Sequence, residues 1–301
     1  ELNESACIEF PNIVKQNTAL DGVVKWVLEL GEANHVEMVY IPEKDRGTLC
    51  ISSQVGCALA CTFCSTGMQG FNRNLTTAEI IAQVLIANQY LNPKGKRISN
   101  VVFMGMGEPL LNEEAVYNAC DLLLDDLAFG LSRRKVTISS SGVVPALLRM
   151  AQRTPVSLAI SLHAADDKLR DELVPINQKY PIKELLEACK TYLEAGTQER
   201  HILFEYVMLD GVNDTKEHAN KLAKLLKGIS AKVNLIPFNP FAETQYATSK
   251  TKNIESFQDT LYRQGIRTMT RRTRGEDVDA ACGQVAGKVL DKTKRKNDRR
   301  H

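Results

Sequence analysis

No stretch of the chain approaches the roughly 18 uncharged apolar residues of a membrane helix. The opening residues, ELNESACIEF, lack the basic head and apolar block of a secretory signal. Both absences point to the cytoplasm. The first residue is not Met, as expected of a fragment or a processed product. Strong net charge is missing too: at +2 the molecule is not globally basic, so any attraction to phosphate must come from local patches. Two exist. Arg271, Arg272 and Arg274 form one; Lys292, Lys294, Arg295, Lys296, Arg299 and Arg300 form the other. The second reads either as a solvated tail or as a phosphate-contacting segment. There is no internal repeat, and no second CxxC pair of the kind that completes a four-ligand structural zinc site.

What is present is a chain of 301 residues, long enough for one large domain or two smaller ones. Its eight cysteines do not read as a disulfide framework, because three of them crowd into residues 57–64 of a long chain without a leader. Strand patterns at Val23–Leu30 and His35–Ile41 flank a turn-like Gly31–Asn34, and a third at Thr48–Gln54 runs into the cysteine loop. Alternation follows. Thr76 and Glu79 form a capping box that opens a helix. Strands at Asn100–Met106, Lys135–Ser140, Val156–Leu162, His201–Leu209, Lys232–Phe238 and Arg267–Arg272 are interleaved with helical patterns, the last of them near Asp277–Asp291. About six βα units in series, with strands apolar on both faces, predict parallel pairing in a barrel or partial barrel. The expected division is an extension over 1–46 whose strands pack on a core over 47–290, then a basic tail over 291–301. In such folds the chemistry sits after the strands. Gly56-Cys57, Gly105 to Pro109, Ser139 to Gly142, Ser161-Leu162-His163 and Pro237 to Pro240 all fall there.

The strongest single signal is Cys57-x3-Cys61-x2-Cys64. Three thiolates in one loop leave one corner of a four-iron cluster open to a small molecule. The competing reading is a zinc knob with Cys50 as fourth ligand. Cys120 and Cys189 lie within amphipathic helices and read as small core residues. The triplet resembles the radical S-adenosylmethionine (SAM) superfamily, in which the amino and carboxylate groups of SAM chelate the open iron.

The surrounding residues narrow the match. Cys50 through Cys57, Gly70-Phe71-Asn72-Arg73-Asn74-Leu75, Met104 through Leu110, Ser161-Leu162-His163-Ala164, Asn234 through Pro237, and Thr273 through Gly283 resemble, in order, the RlmN/Cfr family of RNA adenine methyltransferases. The resemblance implies an α/β fold, a radical SAM partial (β/α)6 barrel with an N-terminal β-hairpin extension, here without the family's small helical domain. It implies one 4Fe-4S cluster on Cys57, Cys61 and Cys64, and two SAM molecules per turnover. Cys282 takes the methyl group and bonds to the RNA; Cys50 resolves that adduct; Glu37 accepts the proton. Gly107, Glu108, Ser139, Ser161, Leu162, His163 and Asn239 match residues that contact SAM. The implied reaction is methylation of an adenosine at C2 in 23S rRNA and, for some members, in tRNA, by a cytoplasmic monomer served by an electron donor such as flavodoxin. Without the resemblance, Glu37 reads as a surface strand carboxylate and His163 as a satisfied core histidine. Phe71, Asn72 and Arg73 are suited either to ordering the cluster loop or to meeting RNA. Two rivals remain: the C8-methylating Cfr type, against which the Gly-Phe-Asn-Arg-Asn run and Cys-Ser-Thr after the cluster speak, and a zinc-stabilised RNA-binding protein without catalysis.

Overall fold

Three antiparallel strands, β1 (Asn12–Thr18), β2 (Val24–Glu29) and β3 (His35–Pro42), lead into β4 (Gly47–Cys50). The computed structural model describes residues 9–32, 34–195, 200–242, 244–280, 283–284, 289 and 291–293. After β4 the chain leaves the sheet. It forms the small ribbon β5 (Gln54–Gly56) and β6 (Phe71–Asn74), with the one-turn helix α1 (Ser65–Met68) between them. The remaining strands are β7 (Asn100–Phe103), β8 (Val136–Ser140), β9 (Ser157–Ser161), β10 (Ile202–Met208), β11 (Ala231–Pro237) and β12 (Arg267–Thr270). They continue from β4 in parallel, in chain order. The connecting helices are α2 (Thr77–Leu91), α3 (Glu113–Leu124), α4 (Val144–Arg153), α5 (Asp167–Leu173), α6 (Ile182–Glu194), α7 (Lys216–Leu225) and α8 (Thr251–Arg263). The result is one ten-stranded sheet whose edges, β1 and β12, do not pair: a barrel of six βα units left open on one side.

Local chemistry explains why these residues form these elements. Thr76 and Glu79 make the expected capping box at the start of α2. Thr215 and His218 make an analogous pair at α7, whose Ala219, Leu222 and Ala223 turn inward. Cys120 and Cys189 are fully buried among core side chains, as small hydrophobes.

The structure corrects three sequence expectations. The strand expected over Thr48–Gln54 stops at Cys50, because Ser52 bonds across to the Gln83 side chain through both its N–H and its carbonyl instead of extending the ladder. Where the last helix is expected to begin, near Asp277, the described residues form only a 3-10 turn at Glu276–Val278. Asp279 (φ 50°) holds a left-handed conformation that ends it. The hairpin extension has a third strand, β1, on its outer edge.

Register decides which side chains face the barrel lumen, since residues paired across neighbouring strands share a face and every second residue returns to it. One row crosses the sheet as Lys25, Val39, Cys50, Val102, Thr137 and Ser157. Val102 and Thr137 line an internal cavity, so this row is the lumen row. Glu37, two residues before Val39, shares that face, as do Ser139 and Ser161 further along β8 and β9.

Candidate active site

The lumen holds two connected cavities. The first, about 170 Å³, lies at the C-terminal ends of the parallel strands and is walled on one side by Cys57, Cys61, Phe63 and Cys64. Facing them are Gly105, Gly107, Glu108, Ser139, Ser141, Ser161 and His163, with Glu205 and Phe238 completing the wall. The second, about 630 Å³, runs to the open side of the barrel past Thr48, Asn100, Asn234 and Asn239 and is bordered by Lys44, Arg46, Arg271, Arg272 and Arg274. Met104, Glu205, Ile236 and Arg271 line both. All five expected strand-end segments, the cysteine loop being the first of them, therefore meet around one space.

The cysteine loop is fixed by its backbone. Cys57 N–H donates to Gly70 O at 2.7 Å, Cys64 N–H to Cys61 O at 3.2 Å, and Thr62 N–H to Leu173 O at 3.1 Å. Ala60 is held at φ 55°. Phe71, Asn72 and Arg73 order this loop: they form β6, and Arg73 grips Glu79 through both guanidinium nitrogens at 2.7 and 2.9 Å and donates to Leu30 O. All three cysteines line the cavity. Burial pushes Cys57 well above the ordinary thiol value and Cys61 to about 12, and each is raised further by its neighbouring cysteines. Three thiols in one desolvated wall want a strongly cationic group to share. Among the described residues no group of three His, Cys, Asp or Glu is placed to hold a single metal ion. Thiols set round the wall of a cavity instead fit the spread corners of an iron–sulfur cluster.

Glu108 faces them. Its Oε1 accepts the Leu110 N–H at 3.0 Å and its Oε2 the Ser141 N–H at 2.8 Å. Burial nevertheless lifts its pKa to about 6, against the pull of these bonds. Gly107 is glycine for an internal reason: at φ 98°, a Cβ there would meet Gln54 Cβ at 2.5 Å. His163 is both a satisfied core histidine and a wall of the cavity. Its Nδ1 accepts the Val207 N–H at 3.0 Å, which puts the ring proton on Nε2, and its ring stands edge-on to Phe63. Burial, helped by the charge of Arg170, drops its pKa to about 3, so it stays neutral.

Other expected residues fall elsewhere. Leu162 is wholly buried beneath the rim, its N–H donating to Glu205 O. Asn239 lines the second cavity, not the first. Glu37 is not a surface carboxylate: only 6% exposed, it pairs with the equally buried Lys25 at 3.4 Å, and Lys25 also donates to Asp279 O at 3.0 Å. Cys50 is buried on the lumen face of β4. Cys282 lies outside the described residues; Gly283, next in the chain, lines the first cavity, and its carbonyl accepts the Ser65 N–H at 3.0 Å. Sequence reasoning missed Glu205, Lys25 and Arg170. A lone acid within Ile202–Met208 and a lone lysine within Val24–Glu29 were visible signals for two of them.

Among the described residues no helix is long and apolar enough to cross a membrane. The Radical SAM superfamily pattern matches residues 51–225. Over all 301 residues the chain is 79% identical to a protein named dual-specificity RNA methyltransferase RlmN from Vesicomyosocius okutanii, and to its namesake from Ruthia magnifica, covering 85% of each. The crystal structure of a radical SAM methyltransferase from Sphaerobacter thermophilus superposes with a TM-score of 0.91 at 40% identity, over 94% of this chain and 83% of that one. The chain thus belongs to the radical SAM superfamily and, within it, to the RlmN family of RNA methyltransferases.

Proposed function

We propose that this chain methylates adenosine at C2 in ribosomal RNA and in transfer RNA, with one 4Fe-4S cluster on Cys57, Cys61 and Cys64 and two SAM molecules per turnover. The observation that carries the reading is the shared cavity in which three thiols face Glu108, Ser139, Ser161 and His163. When bound, the cluster and SAM supply a methyl donor and a radical source, which C2 of adenine requires because its hydrogen is not acidic and the carbon is electron-poor.

The protein's own groups do the rest. Glu108 presents a fixed carboxylate to the amino group of SAM. Neutral His163 offers Nε2–H without adding charge. Cys282 carries the methyl group to the base, and Cys50 releases the product by bonding to Cys282. Glu37 takes the C2 proton; its burial beside Lys25, on the same sheet face as Cys50, supports a held base rather than a solvated strand carboxylate. Arg271, Arg272 and Arg274 border the open side of the barrel, where a base drawn from its stack would enter.

Tandem mass spectrometry of Cys282 tests this. A methyl group is expected there after expression with intact cluster biogenesis, and none in Cys57→Ala. Anaerobic protein should be brown with about four irons per chain, as one four-iron cluster demands; a colourless zinc protein would overturn the reading. Mass spectrometry or NMR of the product adenosine separates C2 from C8 methylation.

A further inference from the structure

Arg170 on α5 is wholly buried, at 0% exposure, yet no carboxylate touches its guanidinium in any of its four hydrogen bonds. Nε donates to Leu162 O at 3.0 Å, and Nη2 to Ser161 O at 3.1 Å and Ser141 O at 2.7 Å. Nη1 donates to the Asn177 side-chain oxygen at 2.8 Å. Acids stand one layer out: Asn177 Nδ2 donates to Asp171 at 2.7 Å and Asp167 at 3.0 Å. A whole positive charge is thus held inside the protein by neutral dipoles, where solvent screens it little.

Its location matters. Ser141 and Ser161 line the cluster-side cavity, and Ser141 also donates its N–H to Glu108. One side chain therefore ties together the ends of β8 and β9, both rims of the cavity. Its charge also lies beside the cysteine wall: the Ser141 and Ser161 that its Nη2 holds line the same cavity as Cys61.

We propose that Arg170 is a positioning and tuning residue for the cofactor site, fixing the Ser141 and Ser161 rims that receive SAM and stabilising the reduced cluster from the Cys61 side. This rests on the cluster reading above. Adding an electron to a thiolate-ligated cluster adds negative charge, and a fixed nearby cation favours that state, so it raises the reduction potential.

Redox titration followed by electron paramagnetic resonance, together with SAM binding to the loaded protein, tests it with three variants. In Arg170→Met the charge and the bonds are lost: the midpoint should fall, and SAM affinity should drop about tenfold or more, the loss expected when charged hydrogen bonds are removed. In Arg170→Lys the charge stays but the fork is lost, so the midpoint should hold while SAM binding weakens. In Asp171→Asn the outer acid is removed while Asn177 keeps an acceptor, so the midpoint should rise with SAM binding unchanged. An iron-replete Arg170→Met with the parent midpoint would overturn the proposal. Should that variant take up no iron, an unchanged midpoint in Asp171→Asn or unweakened SAM binding in Arg170→Lys would overturn it. The unsubstituted protein separates the two readings: if it holds no redox-active four-iron cluster, the cluster reading itself is at fault.

Discussion

Glu108 shows how a single residue carries both a structural and a chemical load. Its carboxylate caps the turn at Leu110 and braces Ser141, yet burial lifts its pKa from 4.5 to about 6. A carboxylate whose folded value lies above its unfolded value contributes most when protonated. That contribution is complete below about pH 4.5 and is lost as pH rises through about 6. Holding the charged form at pH 7 thus costs the metal-free protein roughly 2 kcal/mol, a cost that an N–H donor from a bound amino group would offset. Urea unfolding of the metal-free protein and of Glu108→Gln should therefore give stability curves whose difference changes by roughly 2 kcal/mol between pH 4.5 and 7. Parallel curves would show that Glu108 is not a desolvated acid. At this scale the sequence spoke unevenly. The cysteine triplet and the Gly-Glu-Pro loop announce themselves by composition and spacing. Arg170 does not: Asp167–Leu173 carries acids and bases like any solvated helix, and it is three backbone carbonyls and the Asn177 side chain that give the arginine its place.

Among elements, the cluster loop depends most on its frame. It hangs from the β5–β6 ribbon, and Gly56 ends the first strand against Gly70, just before the second begins. Its φ is 77°, and a Cβ there would meet Gly70 O at 2.1 Å, the same oxygen that accepts the Cys57 N–H. The hit atom is backbone, so no side-chain rotation relieves it. Gly56→Ala should retain its helical circular dichroism but bind well under half the iron per chain after anaerobic reconstitution, because Cys57 is displaced while the distant βα units are not. Full iron loading would show that the ribbon does not set the loop. The long amphipathic elements and the α2 capping box were legible because their signals are local. β1 was not, since Asn12–Thr18 is a largely exposed edge strand without an apolar face. Nor was β6, whose Phe71–Asn74 becomes a strand only by pairing across the cysteine loop. The start of the C-terminal helix was misread, since a single 3-10 turn at Glu276–Val278 is followed by the left-handed Asp279.

For the molecule as a whole, the consequence of an unclosed barrel is a lumen that opens sideways. Six βα units in parallel were readable from alternation alone; that β1 and β12 stay unpaired was not, because closure depends on strand tilt and register rather than on any residue pattern. The gap gives meaning to an otherwise weak charge signal. A net charge of +2 cannot steer a polyanion, but Lys44, Arg46, Arg272 and Arg274 border the cavity that leads inward from that gap. They are not equivalent. Arg274 is committed to Asp21, with Nε on its carboxylate at 2.5 Å and Nη2 on its carbonyl at 2.8 Å, and so fastens the C-terminal segment to the hairpin. Arg272 is exposed. A phosphate contact there should be independent of sequence and sensitive to salt. Arg272→Glu is therefore expected to weaken binding of substrate RNA at low salt and to reduce the slope of log affinity against log salt by about one phosphate's worth, roughly 0.7 to 0.9. SAM binding, measured without RNA, should not change, since the residue borders only the outer cavity. An unaltered salt slope would mean that RNA approaches over another face, and the open side of the barrel would then need a different purpose.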